Sequence, residues 1–188
     1  MAWLRWFVGF GALSLLAQGP SVAWRTFHTP HYRIHHPEGA RFETFAREVA
    51  GRVEGIHAAV GQAVGHVASG PIDILVRDPV GEANGMAFPL LKAPYVEVWC
   101  TPPDEDSPLA HHRSWSELVL THELVHLHHL TWPTERPTWV DRGLYGFTGP
   151  ILRKAPRWVV EGYATLLEGR LTGRGRPHGA YRAAVIRT

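Results

Sequence analysis

Ser114-Trp115-Ser116-Glu117-Leu118-Val119-Leu120-Thr121-His122-Glu123-Leu124-Val125-His126 is the stretch on which the reading of this chain turns. Its first four residues form a capping box, in which a serine hydroxyl and a glutamate side chain satisfy each other's backbone donors. Leu118, His122, Val125, His126 and His129 then lie along one helical face. Leu120, Leu124 and Leu127 make the opposite side apolar as well, so burial on both flanks is expected. Trp132-Pro133 stops the helix, because the residue before a proline avoids the helical region. A buried helix carrying two histidines and a glutamate needs partners for them, since unpaired polar groups inside are costly. Metal is the simplest partner. His122 and His126, one turn apart, can grip one Zn²⁺, and Glu123 can reach a water on its open side. A zinc-bound water has its pKa pulled toward neutrality, and a nearby carboxylate can pass its proton to a leaving amine.

A site of this kind needs a third protein ligand, and Glu135, Asp141 and Glu161 lie downstream. The run Pro156-Arg157-Trp158-Val159-Val160-Glu161-Gly162-Tyr163-Ala164-Thr165 favours the last of these. Pro156 suits the first turn of a helix and Gly169 its end. Trp158, Val159, Gly162, Tyr163, Leu166 and Leu167 give that helix a broad apolar surface. Glu161 sits amid it, where a carboxylate is expensive unless paired or bound to metal. Gly162 and Ala164 are small enough to let this helix approach the first closely. His122, His126 and Glu161 would then leave a fourth zinc position open for water.

Outward from the two helices, residues 1–23 read as an export signal. Arg5 supplies the positive charge, Trp6 to Ala17 is an uncharged run, and Ser21-Val22-Ala23 provides small residues for cleavage. The run is short for a bilayer, so no stable membrane insertion is expected after cleavage. Residues 24–188 are long enough for one domain with a real core. The chain has one cysteine, Cys100, so an intramolecular disulfide is excluded, and a small buried hydrophobe is the expected role for it. A net charge of +2 with scattered basic residues gives no support to nucleic-acid binding.

The region before the first helix reads as α+β. Thr29 to His35 alternates as a strand, and His36-Pro37-Glu38-Gly39 closes it with turn chemistry. His31, His35 and His36 are expected to face solvent. From Ala40 to about Val67 the residues Phe42, Phe45, Val49, Val53, Ile56 and Val60 keep helical spacing. Pro71 to Arg77 and Tyr95 to Trp99 are strands, Gly81 to Ala87 is loop-like, and Thr101 to Pro108 is an acidic surface loop.

The signatures His-Glu-x-x-His and a later Trp-x-x-Glu-Gly-x-Ala resemble those of the gluzincin metallopeptidases. The export signal, the Thr-Pro-His-Tyr run from Thr29, and Gly173-Arg174-Gly175-Arg176 extend the pattern. In that form it is similar to the peptidase-like domain of exported bacterial proteins that continue into a TolB-like β-propeller. The resemblance spans about Trp24 to Thr188. It implies a zincin-like α+β fold, in which a small mixed sheet packs on helices. It implies one Zn²⁺ held by His122, His126 and Glu161, with Glu123 as general base and acid. A strand along the cleft would pair with extended substrate, a role open to Asn84 to Pro89 or to Tyr95 to Trp99. Thr165 stands where thermolysin-like enzymes carry the aspartate that orients a histidine. Glu168 could serve behind the ligands instead, or be a plain surface glutamate. His128 and His129 could add ligands, although on helical angles at most His129 faces the metal side, and both are expected as hydrogen-bonded neighbours of the site. For an oxyanion, Tyr163, His178 and Tyr181 are available without a spacing argument.

A metzincin needs glycine and histidine at positions 129 and 132, which are His and Trp, so that reading fails. An aspzincin using Asp141 near Tyr145-Gly146 fits its signature less closely. The expected function is therefore a zinc-dependent peptidase acting on peptide or protein substrates, exported to the periplasm or the extracellular space. A catalytically silent docking module of a longer exported protein is the alternative.

Overall fold

The computed structural model describes residues 22–133, 139 and 148–178. Strands β1 (Trp24–His28), β2 (Tyr32–Pro37), β3 (Ile72–Arg77), β4 (Gly85–Phe88) and β5 (Tyr95–Trp99) form one mixed sheet in the order β1-β2-β3-β5-β4. Strands β2, β3 and β5 run parallel, and β1 and β4 close the two edges antiparallel to their neighbours. Helix α1 (Ala40–Val64) makes the crossover that a parallel β2–β3 pair requires.

Register explains which face is covered. Phe27, Ile34, Ile74, Val96 and Ala87 form one row across all five strands. Ile34, Ile74 and Val96 are fully buried, and Phe27 and Ala87 pack against the same core. The next row, His28, Arg33, Asp73, Tyr95 and Phe88, points the other way, as strand alternation demands. Onto the apolar face α1 lays Phe45, Val49, Val53, Val60 and Val64, and it ends at Gly65, whose φ of 80° suits a left-handed cap.

Helix α2 (Trp115–Leu130) begins where expected, with Ser114 Oγ accepting the Glu117 N–H at 3.4 Å. It packs against α1, against α4 (Arg157–Thr172), and over β4 and β5, with short α3 (Pro150–Lys154) beside it. This surrounds α2 and accounts for apolar residues on every side. Leu120, Leu124 and Leu127 are fully buried, each worth roughly 1.5–3 kcal/mol of transfer free energy. Cys100 is buried, as its setting in the sequence implied.

Several expectations are corrected. The strand expected from Thr29 starts at Tyr32, because Thr29 turns the chain: its hydroxyl accepts the Tyr32 N–H and donates to Glu54. The alternation continues to His36, which is therefore buried, stacked on Phe27 and donating Nδ1–H to the Pro37 carbonyl at 2.8 Å. His31 is exposed as expected, and His35 is half-buried between Thr26 and Asp73. The loop expected at Gly81 to Ala87 contains β4, while β5 is internal. Helix α4 runs past Gly169 to Thr172 and is capped by Gly173 at φ 64°. Gly169 lies inside it against Pro177 and Gly162 faces open space, whereas Ala164 is fully buried in the core. Trp158 is 75% exposed, so the broad apolar surface expected of this helix is in part wet. Among the described residues no helix is long and apolar enough to cross a membrane.

Candidate metal centre

Buried α2 carries His122, Glu123 and His126 into the floor of a cleft, and α4 brings Glu161 across from the other side. The Nε2 atoms of His122 and His126 lie 3.1 Å apart. Glu161 Oε2 lies 3.6 Å from the first and 3.5 Å from the second. A tetrahedron of ligands at zinc–nitrogen and zinc–oxygen bond lengths has edges of about 3.3 Å. The three donor atoms thus already stand at the spacing such an ion requires, and they are the cluster of this kind among the described residues. His, His and carboxylate are also the donor types zinc takes when it retains an open position.

The charges in the cluster are strongly coupled. Burial opposes protonation of His122, but the carboxylates of Glu161 and Glu168 outweigh it and raise its pKa. Burial and the neighbouring His122 lower His126 to about 4, which favours the neutral ring a metal ligand must have. Glu161 is 44% exposed, not sunk in an apolar surface, and hydrogen bonding to His122 pulls it down to about 2. Glu123, by contrast, is pushed up to about 7, mainly by burial, with the Glu161 charge adding to it.

Behind the ligands stands Glu168. It is not a surface residue: its exposure is 0%. Its Oε2 lies 2.9 Å from His122 Nδ1, on the side of the ring away from the cluster, while His122 Nε2 faces His126 and Glu161. Thr165 is buried, and Glu168, one turn further on, makes the contact to histidine. Burial works against the charged form of Glu168, yet His122 and Arg176 outweigh it and its pKa is lowered.

Two residues of the site escaped the reading of motifs. Arg176 follows α4 and donates from Nη2 to Glu168 Oε2 at 2.7 Å, and the same Nη2 stands 2.6 Å from His122 Nδ1. Gly85, in β4, lies so near Glu123 that any Cβ would crowd its carboxylate. The Gly-Arg-Gly-Arg run was a signal for Arg176, though only as part of a family pattern. Gly85 had no signal, since a glycine in a loop-like run has many causes.

Other expected neighbours fall elsewhere. His129 packs its ring on Tyr163 and contributes no atom to the cluster. His128 is fully buried on the α1 side, accepting the Ala68 N–H at 3.2 Å, with its pKa brought to about 3 by burial and by His57 and His66. His178 lies at the Gly169 carbonyl. Residues 1–21, Glu135, Asp141, Tyr145, Gly146 and Tyr181 lie outside the described residues.

The cleft has a volume of about 680 Å³. Asn84 to Phe88 line one wall, Leu118, Val119 and Leu130 the floor around the cluster, and Leu152, Arg157 and Val160 the far side. The strand facing this cleft is β4, at the sheet edge, whereas β5 is paired on both sides and has no edge to offer. No protein-family model matches the chain, and no curated protein is significantly similar to it.

Proposed function

We propose that the protein is a zinc-dependent peptidase of the gluzincin kind, with His122, His126 and Glu161 holding one Zn²⁺. The observation that carries this reading is the convergence of two Nε2 atoms and one carboxylate oxygen at tetrahedral spacing, beside a fourth side chain, Glu123, which is not needed to hold the ion. A zinc ion at this place would supply Lewis acidity toward a scissile carbonyl and lower the pKa of a water.

The remaining work falls to the chain itself. Glu123, buried beside the three ligands, would accept the proton of the attacking water and return it to the leaving amine. Glu168 braces the His122 ring from behind, at Nδ1, so that Nε2 points into the cluster. Strand β4, at the sheet edge among the described residues, would support an extended peptide by backbone pairing, which holds a chain without reading its sequence. A docking module would need neither a buried base nor a cleft beside it. The export signal at residues 1–23 puts this activity outside the cytoplasm, as part of the same proposal.

The test is zinc content per chain of wild type, Glu161→Ala and Asp141→Ala, followed by hydrolysis of a mixed peptide library with Glu123→Gln as control. One zinc in wild type, lost in Glu161→Ala alone, with cleavage abolished in Glu123→Gln, is the expected result. Zinc lost only in Asp141→Ala would move the ligand set to that residue. A wild type that takes up no zinc would overturn the enzyme reading and leave a docking module.

A further inference from the structure

The far wall of the cleft is apolar except at one place. Leu152, Ala155 and Val160 line it with carbon, and Arg157 brings a guanidinium among them. Arg157 stands in the first turn of α4, four residues before Glu161, so the two side chains leave the same face of the helix one turn apart. Arg157 is exposed, and among the described residues its side chain forms no hydrogen bond or ion pair. The first turn of α4 holds no acidic residue to neutralise it. Arg153 and Lys154, in the last turn of α3, add positive charge beside the same wall. The other arginine lining the cleft is differently placed, because Arg176 is held by the buried carboxylate of Glu168 at 2.7 Å. Among the described residues, Arg157 is therefore the guanidinium of the cleft that stands open to a ligand.

We infer that Arg157 is a specificity-determining residue, which selects peptides carrying a carboxylate about two residues from the bond held over the metal cluster. This rests on the peptidase reading of the cluster. The spacing follows from the geometry of helix and strand. One turn of α4 separates Arg157 from Glu161 by about 6 Å along the axis, and an extended peptide covers that in about two residues. The selectivity follows from the guanidinium, a planar fork whose parallel donors match both oxygens of a carboxylate. A neutral amide of the same shape gains less, and the surrounding apolar wall offers it no other donor. Two sources supply the carboxylate: an aspartate or glutamate side chain, or the C-terminal end of the substrate. Because Arg157 is open to water, added salt weakens the preference.

The test is peptide binding, followed by NMR titration in a Glu123→Gln parent so that nothing is cut. The probes are short peptides blocked at both ends, with glutamate at each position in turn, and their glutamine twins. A second set compares a free C-terminus with its amide. The favoured glutamate peptide is expected to bind about 10-fold more tightly than its twin, the lower end for a hydrogen-bonded charge. Arg157→Ala brings that ratio close to one, Arg157→Lys keeps part of it, and Arg157→Glu turns the preference toward lysine peptides. Arg170→Ala, exposed in the last turn of α4, leaves the ratio unchanged. A gain at an internal position identifies an acidic side chain as the source, and a gain from the free C-terminus alone identifies the chain end. The same ratio with and without Arg157, or no binding of any probe, would overturn the inference. Hydrolysis by wild type alongside such a result would leave the peptidase reading standing. An Arg157-dependent preference in a wild type that cuts no peptide would defeat the peptidase reading and leave carboxylate recognition in place.

Discussion

Gly85 and Glu123 are packed so closely that a methyl carbon on Gly85 would lie 2.9 Å from the carboxylate oxygen, and 2.6 Å from Val119 Cγ2. The edge strand and the candidate base are thus fitted to each other across the cleft. Gly85→Ala must displace one of them, at a cost of about 1–3 kcal/mol for overpacking. Peptide hydrolysis is expected to fall at least about 10-fold, since a small misplacement of a reacting group is costly. Zinc affinity should be unchanged, because none of the three ligands is moved. A kcat equal to wild type would remove Glu123 from the role given it.

Metal should couple to stability as well as to activity. An ion bound by the folded chain alone adds about 2.7 kcal/mol at a hundredfold excess over its Kd. Addition of zinc to chelator-treated protein is expected to raise Tm, and Glu161→Ala to abolish that rise. An equal rise in both proteins would mean the ion binds elsewhere.

The burial of α2 on every side makes a contrast with α4. Leu124→Ala removes a fully buried side chain and should cost about 2–5 kcal/mol in urea unfolding. Leu166→Ala, on the wet side of α4, should stay within about 0.5 kcal/mol of wild type. Similar losses at the two positions would contradict the placement of α4.

Acid stability should depend on His57. Burial, and then the charge of His31, lower its pKa, and its Nδ1 shares a hydrogen bond with the hydroxyl of buried Tyr32 at 2.7 Å. The folded state therefore prefers neutral His57. Its contribution is fully present above the unfolded value near 6.5, and is lost as pH falls below that toward the lowered folded value. His57→Asn keeps an acceptor for Tyr32 and cannot titrate. Its urea midpoint should fall less steeply than wild type between pH 6.5 and 5, and equal slopes would exclude His57 as a source of acid sensitivity.

What was legible in the chain was local. The capped α2, the His122/His126 pair on one face and β5 at Tyr95–Trp99 follow from spacing along the sequence, because helix and strand periods act over a few residues. Glu161 was legible as a carboxylate in a helix of small and apolar residues, although its exposure differs from what that setting implied. The histidine-rich run at His128 and His129 was ambiguous for the same local reason: helical phase alone leaves such residues near the cluster's face, and packing against α1 and Tyr163 sent them elsewhere.

Only the tertiary structure decided which polar groups share a burial site. Strand β1 is largely exposed and so carries no apolar alternation to betray it, and His36 is buried because the core face of β2 reaches one residue past the expected end of the strand. Glu168, Arg176 and Gly85 meet His122 and Glu123 from elements far apart in sequence, and no period links them. Sequence by itself determined the helix that bears the histidines, since that needs only the preferences of neighbouring residues. Folding determined the site around it, because the cost of burying a charge depends on which distant groups the packed elements bring alongside.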